Sequence, residues 1–174
     1  MPSLYDITVP TFTCALNNAA VVMRKGAEHF RDQPQALEDI LQMKLVDDML
    51  PFTFQAWSVR HHTLDAIQGI IAGKFTVPEP VPALDYAGFQ KMLTETLEEL
   101  SAVDREAVDA AQNGPVIFTF GELEIPFTAE NFALTFSLPN LYFHLTTLYD
   151  MLRIRGVPLG KADYLKSMKV GLPQ

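Results

Sequence analysis

The sequence predicts an all-α protein, a bundle of four substantial helices with a minor β-hairpin before the last long helix. Three observations carry that prediction. Apolar residues recur at three- and four-residue steps through most of the chain, the period changes to two only between Val116 and Phe127, and the connections are short except for one proline-rich stretch.

The first helix is expected to start with Thr8 as N-cap, with Pro10 in the first turn, where its missing N–H costs nothing, and to end near Gln33-Pro34. Phe12, Leu16, Ala19, Val22 or Met23, Gly26 and Phe30 form its apolar stripe. A shorter helical piece follows from Ala36 to Leu45, until Asp47-Asp48 interrupts it. A third helix is predicted from Met49 to Ala72, with Asp47 or Asp48 capping, Pro51 near its start and Gly73 as its stop. Its inward stripe reads Phe54, Trp57 or Ser58, His61 or His62, Asp65, Gln68 and Ile71. The prolines of Val77-Pro78-Glu79-Pro80-Val81-Pro82 forbid helix and predict an extended connector. Tyr86 to Gln112 is helical again, with a break expected at Ser101 to Glu106, where a second capping signal falls. Val116 to Phe120 and Leu123 to Phe127 flank Gly121-Glu122 as a hairpin of type II′ or a near relative. Thr128 caps a helical stretch to Arg155, split after Ser137 by Pro139 and closed by Gly156. One amphipathic turn remains, at the head of a tail from 164 to 174 that is expected to pack loosely.

The whole chain of 174 residues reads as one domain, large enough to bury a core without disulfides. Its single thiol, Cys14, cannot form an internal bridge and reads as a small hydrophobe on the first helix. A formal net charge of −8 makes nucleic acid an unexpected partner, since polyanion binding needs clustered Lys and Arg. No apolar run approaches ~20 residues, so no membrane partner is expected. The amino terminus lacks the basic stretch and apolar core of a signal peptide, and a cytoplasmic location is expected.

Chemistry is then sought among the four histidines. His29 lies near the end of the first helix, where a solvated, dipole-compensating role suffices. His61 and His62 point about 100° apart on an α-helix, so at most one is expected to face inward. If it is His62, then Gln55, Ser58, Asp65 and Gly69 share its face and Asp65 can orient the imidazole. His144 sits in one of the most apolar helices, with Asn140, Thr147 and Met151 beside it, and must find a hydrogen bond there. It is either a core histidine satisfied by a neighbour or one of a pair with His62 in a shared cavity. The second case predicts a small enzyme of isomerase, cyclase or lyase type, with His62, His144 and Asp65 as catalytic residues acting by acid–base chemistry. Trp57, Ser58, Gln55, Asn140, Thr147 and Met151 are its candidate substrate contacts, and an apolar small molecule its expected partner. No cofactor is expected. The helical H-x-x-x-H spacing is missing, because Asn140 and Leu148 flank His144 at four residues on either side; a divalent metal, if bound, would use His62, His144 and Asp65 or His61. A non-catalytic bundle that binds apolar ligands or dimerises is the alternative.

Four segments carry a resemblance: Leu4-Tyr5-Asp6-Ile7-Thr8-Val9-Pro10; Asp48-Met49-Leu50-Pro51-Phe52; Leu138-Pro139-Asn140-Leu141-Tyr142-Phe143-His144; and Gly156-Val157-Pro158-Leu159-Gly160-Lys161 with Asp163-Tyr164-Leu165. They resemble a bacterial and fungal domain-of-unknown-function family within the DinB/YfiT-like superfamily, and the match runs through nearly the whole chain. The resemblance implies a DinB/YfiT-like four-helix bundle, a homodimer, and a kinship with metal-dependent enzymes, some of them thiol-dependent transferases or isomerases. By position His62 corresponds to the first of three metal-binding histidines in such proteins and His144 to one of the other two, while the third has no histidine counterpart.

Overall fold

The computed structural model describes residues 2–78 and 80–171. The first helix, α1, spans Leu4–His29, several residues ahead of its predicted start and short of its predicted end. Ser3 is the true N-cap and forms a capping box with Asp6, a stronger start signal than Thr8 because two backbone donors are satisfied reciprocally. Thr8 instead lies inside the helix, donating to Leu4 O at 2.6 Å, and Pro10 is an interior residue rather than a first-turn one. Helix α2, Pro34–Gln42, begins at its own proline and buries Ile40 and Leu41.

The predicted third helix is continuous to Ala72 but begins at Phe52, after Pro51, so neither Asp47 nor Asp48 caps it. It comprises α3 (Phe52–Arg60), a π turn (His61–Asp65) and α4 (Ala66–Ala72). Gly73, at φ +70°, stops it as expected, in the left-handed region that a Cβ disfavours. The chain then returns along the helix as an unpredicted strand, β1 (Lys74–Thr76). A Cβ on Gly69 would stand 2.9 Å from Lys74 O and 2.9 Å from the Phe75 ring, so this helix is covered on its strand side as well as its bundle side. The predicted inward stripe holds at Ser58, His61 and His62, with Gln55 buried beside them as expected, but fails at its far end: Ile71 is 44% exposed and Gln68 exposed, whereas Thr63 and Ile67 are buried.

Helices α5 (Tyr86–Ser101) and α6 (Arg105–Ala110) divide where a break was expected, with Asp104 of that segment as the second cap. Strands β2 (Pro115–Phe120) and β3 (Leu123–Thr128) form the hairpin, with Phe120 paired to Leu123 across Gly121-Glu122. Gly121 has φ +59° and Glu122 does not share the sign, the pattern of a type II′ turn. Strand β1 adds parallel to β2, in the order β1-β2-β3.

Thr128 caps α7 (Ala129–Asn131), which passes into a second π turn (Phe132–Ser137) and then α8 (Leu138–Ile154). The division after Ser137 is where Pro139 predicted it; that residue has no N–H to return to the carbonyl four residues back, and the ladder ahead of it is widened rather than sharply bent. Helix α9 (Lys161–Tyr164), at the head of the predicted tail, is docked, while Leu165, Met168 and Val170 beyond it are exposed. Asp163 pairs with Lys25 at 2.8 Å, and Ser167 N donates to Asn18 Oδ1 at 2.8 Å, tying the segment to α1. Residues 172–174 of the predicted tail lie outside the described residues.

The core lies between α1, α3, α5 and α8, with Phe12, Phe52, Phe89 and Phe132 fully buried. Helices pack closely at Gly26, where an added Cβ would collide with Tyr86 Oη and fall 3.2 Å from Leu152. Tyr86 Oη donates to Met23 O at 2.9 Å, so the hydroxyl cannot yield without losing its partner. Gly26→Ala should therefore destabilise the protein by about 1–3 kcal/mol in urea denaturation. No helix among the described residues is long and apolar enough to cross a membrane.

Candidate functional site

Helices α3 and α8 pack against one another and bring His62 and His144 face to face, ring centroids 5.8 Å apart and planes within 11°. Each ring is fixed through Nδ1. Gln55 Nε2 donates to Leu50 O at 2.9 Å, which turns Oε1 toward His144 Nδ1 at 2.8 Å. An amide oxygen accepts only, so His144 carries its proton on Nδ1. Ser137 Oγ donates to His62 O at 3.0 Å and stands 3.4 Å from His62 Nδ1, where it has only acceptance left to offer. The second ring is thus the same tautomer. Neither Nε2 has a hydrogen-bond partner among the described residues.

Burial disfavours the charged form of both. It pushes His62 down to about 2, with the imidazoles of His61 and His144 adding to the effect, and His144 down to about 4, with His61 again contributing. Both rings are neutral at physiological pH. They line a pocket of about 180 Å³ whose other walls are largely aromatic: Phe54, Phe75, Phe118 and Phe136, with Ser58 and Asn140 as further polar residues. The helix supplies one wall, β1 and β2 a second, and the π turn with α8 a third.

His61 is buried as well, contrary to the expectation that only one of the adjacent histidines would be. The π turn departs from 100° per residue, and β1 covers the side that an isolated bundle helix would expose. Its Nε2 lies 3.0 Å from Thr76 O and its Nδ1 3.1 Å from Asp65 Oδ2, so acceptors face both nitrogens. The ring stacks on Phe75 at 4.4 Å. Together they partition the inner pocket from an outer groove of about 560 Å³ that also includes Trp57, Arg60, Asp65 and Lys74.

The predicted residues divide accordingly. His62, His144, Ser58 and Asn140 meet in one pocket, with Gln55 behind His144. Asp65 does not orient His62: Arg60 holds both its oxygens, at 2.7 and 2.8 Å, and the π turn gives it to His61 instead. Trp57 belongs to the outer groove, under the Arg60 guanidinium at 5.0 Å. Thr147 donates back to Phe143 O at 2.8 Å and Met151 is fully buried; neither lines the pocket, because α8 turns that stripe into the bundle core. Ser137 and Phe75 were not predicted, and His61, predicted only as the alternative inward histidine or a metal ligand, stands between pocket and groove. Ser137 gave no signal beyond its place before Leu138-Pro139.

With Asp65 engaged by Arg60 and His61, the set His62, His144 and Asp65 is not assembled, and no group of three His, Cys, Asp or Glu among the described residues is placed to hold a metal. Among the described residues, then, none completes a three-ligand metal site with His62 and His144.

A pocket at the junction of a helical bundle and a small sheet, entered by histidines from two helices, gives this chain a DinB-like fold. It is similar to the crystal structure of a DinB family member protein from Shewanella denitrificans, with a TM-score of 0.77 and 24% identity, covering 98% of this chain and 96% of that one. Residues 4–165 match the domain of unknown function DUF1993, and the chain belongs to that family. No curated protein matches the sequence.

Proposed function

We propose that the pocket takes a small, largely apolar molecule and removes a proton from it, with Nε2 of His62 or His144 as general base. The observation that carries this reading is the matched pair of neutral rings, each held by Nδ1 and each with an unbonded Nε2, at one apolar pocket. Imidazole bases are effective when positioned and kept deprotonated. Low basicity restricts the substrate to acidic protons, and the same burial makes the protonated ring a strong acid that returns the proton readily, as an isomerase or lyase requires.

The test uses 5-nitrobenzisoxazole, a flat apolar reporter whose C–H proton passes to the base as the N–O bond breaks. Turnover above that of free imidazole is expected, falling about 100-fold or more in His62→Ala/His144→Ala with the helical circular dichroism retained. Equal rates in the native protein and the folded double variant would overturn the reading. The low basicity also favours a second reading, capture of an apolar ligand without turnover, which predicts binding of single-ring aromatics and no reaction.

A further inference from the structure

Ser58 is fully buried, lines the pocket one helical turn before His62, and its Oγ has no hydrogen-bond partner among the described residues. This chain has an ordinary way of satisfying a helical hydroxyl, donation to the carbonyl four residues back. Thr8, Thr63, Thr96 and Thr147 all use it, at 2.6, 2.9, 2.7 and 2.8 Å. Ser58 does not. A hydroxyl taken out of water and left unpaired is a cost that native proteins seldom carry without a use for it.

Resting on the pocket being a small-molecule site, we infer that Ser58 and the two histidines together select a neutral, ring-sized molecule bearing a hydroxyl group. The ligand O–H is donated to Nε2 of His62 or His144, and Ser58 Oγ–H is donated back to the ligand oxygen. Two acceptors and one donor match a hydroxyl, which both gives and receives, whereas a carboxylate would turn its lone pairs on those of Nε2. Size sets the rest. An apolar cavity of about 150 Å³ in another protein holds benzene, so a pocket of about 180 Å³ admits one ring with a substituent or a compact fused pair such as the benzisoxazole reporter. The walls of Phe54, Phe75, Phe118 and Phe136 suit a ring, and the remaining polar lining is already engaged: His61 faces Thr76 O and Asp65, Thr76 Oγ1 donates to Val77 O and Asn140 Nδ2 donates to Phe136 O.

The experiment titrates the native protein and Ser58→Ala with phenol, anisole and toluene, by calorimetry and by the 15N resonances of the histidine rings. In the native protein phenol should bind about tenfold or more tightly than toluene, with anisole near toluene, and it alone should shift a histidine Nε2 resonance. Ser58→Ala should erase most of the phenol preference, leave toluene affinity within about twofold, and keep or raise the melting temperature without ligand, since it deletes a hydroxyl with no partner. A phenol preference undiminished in Ser58→Ala, or a melting temperature lowered by the substitution, overturns the role of Ser58 while leaving the pocket intact as a binding site. Failure of all three probes to bind the native protein overturns the small-molecule reading itself.

Discussion

Taking the protein from pH 7 to pH 5 should remove on the order of 3–4 kcal/mol of folding stability through His62 and His144 alone. Both are buried neutral, with folded values of about 2 and about 4 against an ordinary value of 6.5. The unfolded chain therefore binds protons that the folded chain refuses. Stability is fully present above the unfolded value, begins to fall as the pH drops through 6.5, and goes on falling until the folded values are reached. Asp6 and Asp163 are lowered too, but by pairing with Arg105 and Lys25, which favours their charged form, rather than by burial. Their contributions are lost at lower pH, as the carboxylates protonate, so the interval between 7 and 5 belongs to the histidines. Urea denaturation at pH 7, 6 and 5 checks this, and the slope should flatten in His62→Gln/His144→Gln. A slope unchanged in that variant would show that the two rings are not what titrates.

Phe132→Ala should cost about 3–5 kcal/mol, the range for deleting a fully buried aromatic ring. Its ring lies 4.9 Å from Phe75, 5.6 Å from Phe136 and 6.0 Å from Phe127, so it supports two of the pocket's walls from behind. Loss of stability should therefore be accompanied by weaker binding of aromatic probes. Phe143→Ala is the control: that residue is 56% exposed, and its removal should stay within about 0.5 kcal/mol. Comparable losses from the two substitutions, in denaturation midpoints at constant slope, would contradict this packing.

The bundle was legible where backbone chemistry punctuates the chain: Gly73, Gly121, Thr128 and Pro139 each mark a boundary near which the structure turns. It was illegible where a signal is too short or its effect is not local. Lys74–Thr76 is too brief to show alternation, and its pairing with β2 depends on a segment beyond two further helices. The π turns leave no mark in apolar spacing, and a helical wheel drawn at constant rotation goes wrong across them. That is why Asp65 was assigned to His62 and reaches His61, and why both adjacent histidines are buried. His62 and His144 were legible for a different reason: an imidazole in apolar company needs a partner, whatever the rotation. Ser58 and Asn140 came with them as helical neighbours, but the orphaned state of Ser58 is a matter of tertiary placement.

The parallel pairing of β1 with β2 sets an order of assembly. Helical contacts are local and form quickly, whereas joining Lys74 to Ile117 requires closing a loop that contains α5 and α6. Bringing His62 onto His144 closes a longer loop still, one that contains both strands, so the sheet should pair before α3 and α8 meet. Phe75 and Phe118 arrive with the strands, so the walls that dry and shape the pocket should be in place before its two histidines face one another.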